Sequence, residues 1–119
     1  MAAAGVLITT YSDADFARAF QWLINGVPFD FTEYGLMMMV RKNPDDKEVF
    51  VSLSTDDGDI DFTPDVDGKL TTFNIRIKRE QMVDMAAGDY VHSLILLRPD
   101  GLRDDIWRGT LTHAIGPTR

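Results

Sequence analysis

The chain contains no cysteine, which removes disulfides, thiolate catalysis and cysteine-based metal sites together. Histidine is almost as scarce. His92 and His113 are the only two, and neither lies in a recognisable Ser-His-Asp or metal-ligand spacing, so a zinc site would fall two ligands short. Long apolar runs are missing too: residues 36–40 and 94–97 are strand-sized and far too short to span a bilayer. Residues 1–8 are mildly apolar but lack a basic leading segment and the length of a signal core. A soluble protein made in the cytoplasm is expected, without a membrane partner. Positive charge is in short supply: 12 Lys and Arg stand against 19 Asp and Glu, a net charge of −7. The basic residues are scattered, with Arg41-Lys42 and Lys78-Arg79 as mere pairs, so phosphate backbones are repelled and no nucleic-acid partner is expected. No Gly-rich phosphate loop leads from a strand into a helix, and Ser52, Ser54 and Ser93 lie in expected strands without an elbow motif. These absences predict no enzyme, no catalytic residue and no cofactor.

What is present suits a compact domain. At 119 residues, with 45% hydrophobic and 26% charged residues, the chain is long enough for one self-sufficient core and too short for a second domain. Residues 1–12 are expected as a flexible arm or an edge strand, and residues 13–119 as one sandwich domain.

Within that domain the apolar residues repeat with a period of two. Residues 15–24 place Phe16, Phe20 and Trp22 on one parity. Phe16, Ala19, Phe20 and Leu23 also fit a helix, but the turn Asn25-Gly26-Val27-Pro28 favours a strand. Strands are expected over 32–42, 47–54, 59–62, 69–78, 89–98 and 103–115. Asn43-Pro44-Asp45-Asp46, Thr55-Asp56-Asp57-Gly58, Pro64-Asp65-Val66-Asp67-Gly68 and Pro99-Asp100-Gly101 supply turns between them. Residues 80–87 form a short helical turn ended by Gly88, and Gly109 inside the last strand marks a bulge or a close backbone approach. The predicted core is Trp22, Leu36, Met38, Val40, Val49, Val51, Leu53, Ile60, Phe62, Phe73, Ile75, Ile77, Tyr90, Leu94 and Leu96, on inward parity shared across strands.

Two clusters carry any function. Asp56, Asp57, Asp59, Asp61, Asp65 and Asp67 surround Gly58 and Gly68. They read as turn residues and a solvated strand face, because Asp57, Asp59 and Asp61 are spaced along a strand and neither position 67 nor 68 provides the Glu that a calcium loop requires; no metal site is assigned. A stand-alone ligand- or cation-binding sandwich using these turns is the alternative function. The second cluster is Met37, Met38 and Met39. The strand at 36–40 carries more apolar surface than one core face needs, and adaptable methionine surfaces serve as protein contacts. Met37 and Met39, with Phe50, are therefore the expected interaction surface, for a partner protein or a homo-oligomer.

The segment Asp84-Met85-Ala86-Ala87-Gly88-Asp89-Tyr90, leading into apolar residues 91–97, adds a structural signature. Immunoglobulin-type sandwiches place a Tyr at such a corner, its hydroxyl bonded back to nearby backbone. Gly88 and Tyr90 are the corner residues. The fold class expected is all-β, an antiparallel immunoglobulin-like β-sandwich of about seven strands with one short helical turn.

The order of these pieces resembles the small immunoglobulin-like domains of tailed-phage and prophage virion proteins, as at the N-termini of upper-baseplate and tail-fibre proteins. The residues that carry the resemblance are Pro28-Phe29-Asp30-Phe31-Thr32 leading towards Arg41, Leu53-Ser54-Thr55 with Gly58 and Ile60, and Phe73, Ile75 and Ile77. Gly88 with Tyr90, Leu94 and Leu96, Asp100-Gly101, and Gly109-Thr110-Leu111-Thr112 complete it, over roughly residues 14–115. Ser93 and the methionine run depart from the family pattern. The resemblance implies a non-catalytic tail or baseplate accessory protein that docks onto other virion or assembly proteins.

Overall fold

The computed structural model describes residues 4–117. Among the described residues ten strands form: β1 (Ala4–Tyr11), β2 (Phe16–Gln21), β3 (Leu23–Ile24), β4 (Val27–Pro28), β5 (Gly35–Arg41), β6 (Val51–Ser54), β7 (Ile60–Pro64), β8 (Leu70–Ile77), β9 (Gly88–Leu97) and β10 (Arg103–Ala114). A single 3-10 turn, Arg79–Met82, precedes the corner into β9.

One sheet has five strands in the order β1-β10-β9-β5-β6, the other three in the order β2-β8-β7, and β3 and β4 make a small ladder. All pairings are antiparallel except β1 with β10, which is parallel. Three strands thus face β5, β9 and β10, with β6 added beside β5 and β1 beside β10. This is an immunoglobulin-like sandwich, antiparallel but for the β1 edge.

Alternation explains the layering, since successive side chains of a strand point to opposite faces. On β5, Leu36, Met38 and Val40 are fully buried; on β9, Tyr90, His92, Leu94 and Leu96 are; on β8, Phe73, Ile75 and Ile77 are. These rows meet between the sheets. Phe20, Phe73 and Trp107 pack ring on ring there, with Phe20 and Trp107 centroids 4.8 Å apart edge-on.

Several expectations need correction. Of the two alternatives for the N-terminal residues, flexible arm or edge strand, residues 4–11 take the second as β1; residues 1–3 lie outside the described residues. The strand expected from residue 47 begins only at Val51, because the Arg41 guanidinium donates to the carbonyls of Asp46 (2.6 Å) and Lys47 (3.2 Å) and holds that stretch as a loop. Val49 is consequently half-buried, as are Trp22 and Phe62 on the sandwich margin. The core also includes residues not foreseen: Ile8, Phe31, Met82, Met85, Ile106, Trp107 and Leu111. Ile106 and Trp107 are both buried because a β-bulge between Asp105 and Trp107 inserts one residue into β10. The bulge also resets the phase, so that Arg103, Asp105 and Arg108 all reach the outer face.

At the corner, Gly88 has φ +144°, a conformation open to glycine. The Tyr90 hydroxyl donates to the Ala86 carbonyl at 2.7 Å. Tyr90→Phe is expected to lower stability by about 1 kcal/mol, the net worth of such a bond; an unchanged urea midpoint would show that the bond does not hold the corner.

Candidate functional site on the outer face of the larger sheet

The five-stranded sheet has one face in the core and one facing away. Register places the outward side chains in rows across strands. Leu7, Thr110, Val91 and Arg41 form one row; Arg108, Ser93, Met39 and Ser52 the next; Asp105, Ile95, Met37 and Ser54 the third; Arg103 and Leu97 the last. Met37, Met39, Val91, Ile95 and Leu97 are all half-buried here, whereas Met38 between the two methionines is fully buried on the opposite side. Leu7, at the β1 edge of the same face, is 79% exposed. A shallow groove of about 480 Å³ runs over this surface, floored by Met37, Met39, Val91 and Ile95 and flanked by Arg41, Arg103 and Arg108.

The flanking guanidiniums are held differently. Arg41 is pinned by the two loop carbonyls, and its other nitrogen lies 3.6 Å from the Met39 sulfur. Arg108 donates to both carboxylate oxygens of Asp105 at 2.9 and 3.0 Å. The Arg103 side chain has no ion-pair or hydrogen-bond partner among the described residues.

Phe50 does not join this face. Its ring packs edge-on against Tyr90, centroids 5.1 Å apart, on the margin of the core. The sequence reading placed it in a regular strand, and the irregular loop before β6 turns it inward. Val91, Ile95, Arg103 and Arg108 were missed. The available signal was that the strands around residues 36–40 and 91–97 are apolar on both parities, although a two-layer sandwich covers one face of each.

Both histidines are taken up by β1. His92 Nε2 donates to the Val6 carbonyl at 3.0 Å, reaching across β10 at Gly109, where no side chain intervenes. His113 Nδ1 shares a 2.9 Å hydrogen bond with the Thr10 hydroxyl. Burial pushes the pKa of each below the ordinary histidine value. With the folded pKa depressed, their contribution is complete above the unfolded value near 6.5 and is lost as pH falls from there towards the folded pKa. The urea midpoint is therefore expected to drop between pH 7 and pH 5, with a limiting slope of about 1.4 kcal/mol per pH unit for each histidine. A His92→Gln/His113→Gln variant should lose that slope. The lowered carboxylates of Asp30, held by Thr32, and Asp61, held by Arg76 and Asn74, act in a separate window at and below about pH 4. A wild-type midpoint flat from pH 7 to 5 would contradict the assignment of these histidines.

Two of the six acids in the turns, Asp61 and Asp65, are occupied locally. Asp61 meets Arg76 at 2.7 Å and accepts from Asn74 at 2.9 Å, while one Asp65 oxygen accepts the backbone N–H groups of Asp67 and Lys69. Among the described residues no group of three or more His, Asp or Glu is arranged to hold a metal ion. No helix among them is long and apolar enough to cross a membrane.

No protein-family description and no curated protein matches the chain. Among solved structures, murine CRIg is similar at 14% identity with a TM-score of 0.38, over 92% of each chain.

Proposed function

We propose that this chain is a non-catalytic protein-interaction module that docks through the outer face of its larger sheet. The observation that carries the reading is the half-exposed apolar stripe of Met37, Met39, Val91 and Ile95, on the sheet whose opposite face already completes the core. A sheet facing only water alternates apolar with polar residues; this one carries an apolar stripe on its outer side as well, and a contiguous apolar surface on a globular chain marks a contact site. The ordered residues from Pro28 to Thr112 that resemble phage-type virion domains support a finer reading: an accessory protein of a tail or baseplate, made in the cytoplasm and incorporated on assembly with other virion proteins or with further copies of itself.

The test compares capture of partners by the immobilised full chain with capture by Met37→Asp/Met39→Asp and by Ala17→Asp/Ala19→Asp, which alters the exposed face of β2 on the other sheet. A partner retained by wild type and the β2 variant, and weakened at least about tenfold by the methionine variant at unchanged melting temperature, is the expected result. Equal recovery by all three would remove this face from the function. Recovery of tail or baseplate proteins would support the virion role; partners of another kind would remove it.

A further inference from the structure

We infer that the segment occupying the groove is acidic as well as apolar: a stretch of a partner protein that presents carboxylates to Arg41, Arg103 and Arg108 and apolar side chains to the methionine floor. The inference rests on the docking-face reading and adds the chemistry of the partner. Acids outnumber bases by 19 to 12 in this chain, yet no carboxylate lines the groove, and three guanidiniums do. Asp105, the acid in the outward row beside Ile95 and Met37, is held by Arg108. Arg41 is bound on one side by neutral carbonyls, which fix its plane without cancelling its charge. Arg103 is unpaired among the described residues.

A guanidinium suits carboxylates because its planar fork donates to both oxygens, and one already held in place loses little freedom on binding. The floor between the arginines is apolar and, at Met37 and Met39, adaptable in shape. A ligand that is only apolar would leave the arginines unmatched. A long polyanion would meet the field of a chain with net charge −7 beyond the groove. A short segment mixing acidic and apolar residues satisfies both conditions.

Fluorescence anisotropy with the full chain tests this, using labelled short peptides of alternating Leu and Glu, Leu and Gln, or Leu and Lys, and an oligothymidine of equal length. The Leu-Glu peptide is expected to bind best, to weaken as salt rises through the screening range, and to lose about tenfold or more in Arg103→Gln/Arg108→Gln. Arg103→Glu alone, at a residue without partners, should act in the same direction with no change in melting temperature. Equal binding of the Leu-Gln peptide, lost in Met37→Asp/Met39→Asp but not in the arginine variants, would overturn the acidic preference and leave the docking face standing. Leu-Glu binding that survives the methionine variant would overturn both. No binding of the Leu-Glu peptide, or tighter binding of the oligothymidine, would overturn the inference. So would sedimentation showing that the face is filled by a second copy and freed by Arg103→Gln/Arg108→Gln.

Discussion

Gly109→Val is expected to detach β1 from β10 and to cost about 3–5 kcal/mol, a large share of the 5–15 kcal/mol that holds a typical domain folded. A Cβ at Gly109 would fall on the Val6 carbonyl, which is backbone and cannot swing aside as a flexible side chain could. The same position is the gap through which His92 reaches that carbonyl. Displacing β1 uncovers Ile8, 2% exposed in the native fold, at roughly 1.5–3 kcal/mol, and leaves a buried histidine without its acceptor at about 1–3 kcal/mol. Gly5→Val provides the control, because a Cβ there meets nothing within 4 Å. Urea midpoints and hydrogen exchange check the expectation: in Gly109→Val the amides of residues 5–11 should exchange fast while those of β5 and β9 stay protected. A wild-type midpoint would refute it.

Phe31→Ala is expected to cost about 3–5 kcal/mol, the range for emptying a large aromatic site in a packed core. Phe31 belongs to the segment before β5, outside any strand, yet it is fully buried. Its ring lies 5.0 Å from Phe29, 5.3 Å from Phe73 and 5.4 Å from Phe62, centroid to centroid. The backbone fixes it there: its N–H donates to the Leu70 carbonyl at 2.8 Å, and the neighbouring Asp30 carboxylate accepts from the amides of Thr32 and Leu70. The loop is thus bound to Leu70 of β8 through both Asp30 and Phe31 itself, and a cavity there has little means of collapsing. Thermal or urea denaturation measures the loss, with Val66→Ala at a fully exposed site as the neutral comparison. A loss below about 1 kcal/mol would mean that the ring is not anchored as described.

These two positions also mark where sequence patterning stops. Residues 35–41, 70–77 and 88–97 were legible because local alternation and turn residues such as Asn43-Pro44 and Asp100-Gly101 define them without reference to distant chain. For β1 the pattern left a choice between arm and edge strand, because its hold comes from residues 86 and 103 positions away, His92 and His113. Gly109 was legible as a special position, and the structure identifies its meaning as close approach to Val6, with the bulge at Ile106, three residues earlier in β10. Burial of Phe31 depends on hydrogen bonds to Leu70, across the sandwich margin, and no period-two rule reports it. For the candidate site, the surplus apolar parity of Met37 and Met39 was visible in the sequence. Its continuation through Val91 and Ile95 to Arg108 needed the order β5-β9-β10, which only strand pairing reveals.

The most direct measurement of the docking claim is a methionine-oxidation footprint, read by mass spectrometry on the free chain and on the chain bound to its captured partner. Met38, Met82 and Met85, at 0, 2 and 6% exposure, serve as internal references. In the free chain Met37 and Met39 should form sulfoxide faster than these three, since susceptibility follows access. In the complex both should become protected while the references stay as they were. Equal oxidation of Met37 and Met39 in the free and bound states would contradict docking through this face.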